Sequence, residues 1–174
     1  MSNNVHLVLG GARSGKSSFA ERLATDSGNE VVYIATATIY DDEMQERINR
    51  HVDDRPDHWL TIEEPLLLAQ TLKQHAAEDK CLLVDCLTLW LTNVLMIEQE
   101  GRSLAEYKEE LLGALADLPG KIILVSNEVG QGIVPMGELS RRFVDEAGWL
   151  HQDIARIAQN VTLVVAGLPM QLKH

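Results

Sequence analysis

Five short runs rich in Val, Ile and Leu recur along the 174 residues, at 5–9 (VHLVL), 31–35 (VVYIA), 81–86 (CLLVDC), 121–125 (KIILV) and 161–166 (VTLVVA). Their apolar character is nearly continuous rather than alternating, which is what strands need when helices cover both faces of a parallel sheet. Helical periodicity fills the intervals at 15–25, 41–52, 65–77, 88–99, 103–117 and 138–159, with Asp41, Thr88 and Ser103 placed as N-caps. The order β-α-β-α-β-α-β-α-β predicts an α/β fold of three layers, a doubly wound and mostly parallel sheet with right-handed crossovers. The length, without an internal repeat or a Pro/Gly-rich linker, predicts one domain over residues 1–174.

Charge narrows the range of partners. With 15 Lys+Arg against 26 Asp+Glu the net charge is −11, and no basic run interrupts it, so the surface field opposes nucleic acid and anionic membranes. No apolar stretch reaches the roughly 18 residues of a membrane span, and Met1-Ser2-Asn3-Asn4 lacks the features of a signal peptide. A cytoplasmic protein is expected. Cys81 and Cys86 flank the third run, and their odd separation predicts opposite faces of a strand, hence two buried free thiols rather than a disulfide or a metal pair.

Directly after the first run comes Gly10-Gly11-Ala12-Arg13-Ser14-Gly15-Lys16-Ser17, which fits G-x-x-x-x-G-K-S and leads into a helical stretch. Glycines let such a loop turn successive N–H groups inward, onto phosphate oxygens at a helix N-terminus. Lys16 then reaches the β/γ-phosphates and the Ser17 hydroxyl holds Mg²⁺. A glycine-rich turn that binds nothing accounts for the glycines but not for Lys-Ser at the helix start. The loop therefore implies an enzyme that moves a phosphoryl or nucleotidyl group from a nucleoside triphosphate. The accompanying metal carboxylate is Asp85, which closes the third run, with Glu128 after the fourth run as a second candidate. Either acid can also be a solvated loop residue or a helix cap.

The second informative stretch runs from Thr36 to Trp59. If 41–52 is a helix, Arg47 lies one turn before His51 on the same face, and Arg55 follows just beyond the helix end. A neutral imidazole is a competent nucleophile at phosphorus, and flanking guanidiniums favour its neutral form and offset transition-state charge. The same spacing also suits a solvated histidine on a charged helix.

Taken together, the loop GGARSGKS, the stretch YIAT followed by DDEMxxRIxxH and RPxHW, and the later SNEVGxGIVP resemble the bifunctional adenosylcobinamide kinase/adenosylcobinamide-phosphate guanylyltransferase family. The matches run in order along nearly the whole chain. The resemblance implies a P-loop NTPase fold of RecA-like type and a homotrimer. It also implies two reactions of cobalamin biosynthesis on a corrinoid substrate, namely phosphorylation of adenosylcobinamide by ATP or GTP, then GMP transfer from GTP through a covalent GMP–histidine intermediate. By motif position it makes His51 the guanylylated residue and Gly10 to Ser17 the triphosphate loop. Thr36, Ala37, Thr38, Val52, Asp53, Asp54, Arg55, Glu63 and Asp85 match positions that line the guanine nucleotide site, and Ser17 and Asp85 the metal site. Two departures are visible: Arg50-His51 replaces the His-His pair of some relatives, and Asp85 stands where relatives can carry Glu, one methylene longer.

Two other readings compete. One is a small-molecule kinase that transfers only the γ-phosphoryl group, with His51 a surface residue. The other is a nucleotide-gated interaction module without chemistry. His58 has no evident task and Trp59 reads as a packed aromatic anchor. The segment Ile133-Val134-Pro135 suits a loop facing the corrinoid or a partner, or a plain turn. In 138–159, the stripe Leu139, Phe143, Ala147, Leu150, Ile154, Ile157 and Ala158 predicts packing against the sheet, with Trp149 and His151 beside it.

Overall fold

The computed structural model describes residues 4–37, 55–98, 101–133 and 136–174. Twelve elements are described: β1 (Asn4–Gly10), α1 (Lys16–Asp26), β2 (Glu30–Ala35), β3 (Leu60–Glu63), α2 (Leu68–His75), β4 (Lys80–Asp85), α3 (Leu87–Ile97), α4 (Leu104–Asp117), β5 (Lys121–Asn127), α5 (Glu138–Ile157), β6 (Asn160–Val165) and β7 (Leu168–Lys173). They build a seven-stranded sheet in the order β3-β2-β4-β5-β1-β6-β7. Every pairing is parallel except the antiparallel β6–β7 hairpin.

The continuous apolar runs have a direct cause in this packing. Leu7, Val32, Ile34, Leu82, Val84, Ile122 and Leu124 point into one core cluster beneath α2, α3, α4 and α5. Their neighbours Val8, Val31, Tyr33, Leu83, Ile123 and Val125 point into the other, with α1 and Trp59. Both faces are dry, so neither half of the alternation has to be polar. Trp59 is buried, as its reading as an aromatic anchor required, and His58 is exposed.

All five expected strands form, and five of the six expected helices lie in the described residues; the sixth, at 41–52 with Asp41 as its cap, falls outside them. Ser103 caps α4, its hydroxyl accepting from Glu106 N at 3.4 Å. Thr88 is not a cap. Helix α3 starts at Leu87 with Cys86 as N-cap, and the Thr88 side chain turns inward to Cys86 Sγ and the Asn127 amide. Helix α2 starts later than expected, because Glu64 Oε2 accepts from the N–H groups of Leu66 and Leu67 and holds that stretch outside the helix.

The two cysteines share a face. The strand ends at Asp85, so alternation no longer governs Cys86, which joins Cys81 in the cluster beneath α1. Both thiols are free and buried, and burial raises both above the ordinary thiol range. Leu139 also departs from the expected stripe: Ala147, Leu150 and Ile154 are buried, whereas Leu139 is 61% exposed, beyond the reach of the sheet. Among the described residues, no helix is long and apolar enough to cross a membrane.

Candidate active site

Parallel strands deliver their carboxyl ends to one edge of the sheet, and registers align the chemistry there. Gly10 of β1 faces Asn127 of β5, Asp85 of β4 lies beside Val125 and across from Ala35 of β2, and Ala35 faces Glu63 of β3. The chain leaves β1 for β2 on one side, and α5 returns it to β6 on the other. The ends of β1 and β5 therefore flank a crevice of the kind where open α/β sheets bind ligands.

Between β1 and α1 the loop Gly10–Ser17 is shaped by its glycines. A Cβ on Gly10 would lie 2.3 Å from Ser14 Oγ and 3.0 Å from Val164 O. Gly15 has φ +95 and caps α1, and its α-carbon is crowded by Gly167, 3.1 Å from where a Cβ would stand. Glu128 N donates to Gly10 O at 2.9 Å and Gly167 N to Ser14 O at 2.7 Å, so the loop is braced from both neighbouring strands. Lys16 Nζ donates to Gly11 O at 3.1 Å. Among the described residues, Ser14 Oγ is the one buried side-chain oxygen or nitrogen without a partner. A buried hydroxyl left so costs about 1–3 kcal/mol, which a phosphate oxygen accepting from it would relieve.

Asp85 stands two strands away at the end of β4. Its Oδ2 accepts from Tyr33 Oη at 2.6 Å, and burial, followed by the Asp85 charge, raises the phenol far above its ordinary range, so Tyr33 stays a donor. The Arg55 guanidinium, itself buried, stacks 3.7 Å from the Tyr33 ring and donates to Thr61 Oγ1 at 3.5 Å. Thr36 is fully buried, donating to Cys86 O at 2.6 Å and accepting from Cys86 N at 2.9 Å, while Asn93 Nδ2 holds Thr36 O at 2.8 Å. Glu63 is exposed at the end of its edge strand.

The candidate residues thus divide. Gly10 to Ser17, Thr36, Ala37, Arg55, Glu63 and Asp85 share the carboxyl edge, while His51, Thr38, Val52, Asp53 and Asp54 lie outside the described residues. The flanks of that stretch converge all the same: Thr36 is tied to Cys86 next to Asp85, and Arg55 reaches Asp85 through Tyr33. Glu128 uses its carboxylate locally, Oε1 accepting from Gly130 N at 2.6 Å.

Two polar residues, Asn127 and Tyr33, lie inside stretches that carry the family resemblance, but the sequence alone gives neither a task. Asn127 sits between the loop and Asp85, its backbone and side-chain nitrogens 3.4 and 3.3 Å from Thr88 Oγ1, which also meets Cys86 Sγ at 3.1 Å. Tyr33 was hidden in an apolar run. For Asn127 the available signal was the polar end of the β5 run, Ser126-Asn127-Glu128, which in register lies opposite Gly10 at the start of the phosphate loop.

The donor set suits Mg²⁺. The Ser17 hydroxyl and the Asp85 carboxylate are hard oxygens, and among the described residues no group of three or more His, Cys, Asp or Glu is built to hold a metal by itself. Mg²⁺ characteristically takes one or two protein oxygens and completes its shell with substrate phosphates and water.

Residues 6–172 match the profile of the family described as cobinamide kinase / cobinamide phosphate guanyltransferase. The bifunctional adenosylcobalamin biosynthesis protein CobP of Pseudomonas aeruginosa is 62% identical over 167 residues, covering 96% of each chain. The protein CobU of Escherichia coli K12, with the same bifunctional description, is 40% identical over 179 residues, covering 96% of this chain and 98% of that one. Among solved structures, the type III secretion ATPase EscN of enteropathogenic E. coli superimposes with a TM-score of 0.60 at 11% identity, over 94% of this chain and 43% of EscN. The RadB recombinase gives 0.53 at 13% identity, over 92% and 74%. These distant likenesses concern the fold, which is the RecA-like α/β fold of P-loop NTPases. By its sequence from end to end, the chain belongs to the cobinamide kinase/cobinamide phosphate guanyltransferase family of bifunctional transferases.

Proposed function

We propose that this chain, as one domain over residues 1–174, phosphorylates adenosylcobinamide with ATP or GTP and then transfers GMP from GTP to the product in cobalamin biosynthesis. Family membership supports both reactions. The observation that carries the site is the phosphate loop, with a left-handed Gly15, a buried unpartnered Ser14 hydroxyl and Lys16 turned back over Gly11. Its N–H groups and Lys16 hold the β- and γ-phosphates. Ser17 and Asp85 would hold Mg²⁺, which when bound neutralises charge on those phosphate oxygens.

In the first reaction the aminopropanol hydroxyl attacks the γ-phosphorus, the bridging bond to the β-phosphate breaks, and the nucleoside diphosphate leaves as the hydroxyl proton passes to solvent. In the second, a neutral His51 nitrogen attacks the α-phosphorus of GTP and expels pyrophosphate. A phosphate oxygen of the corrinoid then displaces the histidine, giving adenosylcobinamide-GDP. Thr36, Ala37, Thr38, Val52, Asp53, Asp54, Arg55, Glu63 and Asp85 line the guanine nucleotide site in this reading. Arg55, fixed on Tyr33, supplies positive charge where the triphosphate develops negative charge.

Incubation with α-labelled GTP tests the scheme. The wild type is expected to carry an acid-labile, base-stable label that His51→Ala lacks. Equal labelling of the variant removes His51 from the nucleophile's role, and absence of label with intact acceptor phosphorylation leaves a kinase alone. Lys16→Ala is expected to abolish both reactions. The family resemblance further supports a cytoplasmic homotrimer. A monomeric sedimentation mass at full activity contradicts the trimer.

A further inference from the structure

We infer that the apolar groove between α3 and α5, beside the loop after β5, seats the macrocycle of the corrinoid acceptor. The inference rests on the proposed cobinamide chemistry and adds the residues that hold the acceptor. The groove has a volume of about 520 Å³ and is walled by Leu95, Met96, Val129, Ile133, Leu139 and Phe143. That is within the roughly 300–1,000 Å³ typical of small-molecule sites. Ile133 is 98% exposed, Leu139 61% and Met96 59%, and in this groove they gather into one apolar patch of the kind that marks a binding surface. An ion pair links the two walls, Arg142 Nη1 on α5 meeting Glu98 Oε2 beyond the end of α3 at 2.6 Å.

Two short paths of chain and hydrogen bonds join this groove to the phosphate loop. Glu128 N is bonded to Gly10 O, and the next residue, Val129, is in the groove wall. Asn127 faces Gly10 and bonds Thr88; one turn along the same helix Thr92, whose hydroxyl donates to Thr88 O at 2.9 Å, also lines the groove. An acceptor lying in the groove can therefore extend a hydroxyl arm past Asn127 to a γ-phosphate held at Lys16. The chemistry of the lining matches a corrinoid. The ring carries methyl groups that suit Leu, Met, Val, Ile and Phe, and amide arms that suit the hydroxyls of Thr92 and Ser140 at the wall.

The test uses cobinamide itself as the probe, with Ile133→Glu and Leu139→Glu as variants and Ile133→Leu as the conservative control. Ile133 is too exposed for its replacement to disturb the fold. Both Glu variants are expected to raise the KM for cobinamide about tenfold or more while the KM for ATP, and protein labelling by α-labelled GTP without acceptor, stay as in the wild type. The Leu control should keep the wild-type KM. An unchanged cobinamide KM in both Glu variants, with wild-type turnover intact, overturns the groove assignment alone. So does a changed sedimentation mass with unchanged KM, which makes the groove a contact between copies. A wild type that is labelled by GTP yet neither binds nor phosphorylates cobinamide overturns the acceptor reading and the groove together.

Discussion

Ser14 shows how a single side chain separates stability from binding. Its hydroxyl is buried without a partner, so removing it takes away a desolvated polar group from the folded state. Ser14→Ala is expected to leave the thermal midpoint equal to the wild type's or above it, and to reduce the rise that GTP produces, because the phosphate loses a donor. A lower midpoint with an undiminished GTP shift would show that the hydroxyl is satisfied in another way. His151 makes the opposite case of a group satisfied internally. It lies buried on α5, 2.6 Å from Ser126 Oγ, and burial holds its pKa below 6.5 despite the opposing charge of Glu128. Between the lowered value and about 6.5 the unfolded chain binds a proton that the folded chain does not, so stability falls as pH drops through that window. His151→Gln keeps a hydrogen-bonding partner for Ser126 without that proton. Its unfolding free energy should decline less steeply below pH 6.5 than the wild type's, and parallel declines in urea titrations would remove His151 from the acid response.

At the scale of elements, the β6–β7 hairpin is the part that periodicity could not reveal. Val165 pairs with Leu168 across a two-residue turn in which Ala166 has φ 52 and Gly167 φ 76. Such turns favour Asn-Gly, and an alanine Cβ in the left-handed region is disfavoured by about 1–2 kcal/mol. Ala166→Asn should therefore raise the urea midpoint by the equivalent of about 0.5–1 kcal/mol, and an unchanged or lower midpoint contradicts the turn geometry. The sequence reading passed over β7 because all six of its residues are exposed and Pro169 interrupts the run. It passed over β3 because only four residues form it, at an edge where one face is open. Central strands were legible for the reverse reason, being apolar on both faces. The phosphate loop and Asp85 were legible because their spacing to a strand end is local. Asn127, Thr88 and the Gly167 brace were not, because each acquires its place only when β5, α3 and the β6–β7 turn are brought beside β1.

Across the whole molecule, the sheet assigns different tasks to its two edges, and this can be measured. The carboxyl edge carries the loop, Asn127, Asp85 and Arg55, while the amino edge is closed by turns that hold none of the candidate site residues. Gly120, just before β5, is the tightest of these: its φ is 79, and an added Cβ would lie 2.1 Å from Ala77 O, in the turn before β4, and 2.7 Å from Lys80 O at the start of β4. The Cβ would meet backbone oxygens, which no rotamer change can move aside, so Gly120→Ala must shift one turn against the other. A loss of about 2–4 kcal/mol in unfolding free energy is expected. In the proposed function GTP binds the native state at the carboxyl edge, a full strand length away, so the stabilisation conferred by a fixed GTP concentration should be the same in variant and wild type. A smaller GTP increment in the variant would mean that strain at the amino edge travels along β4 and β5 to the site. An unfolding midpoint equal to the wild type's would mean that the two turns are not in the contact described.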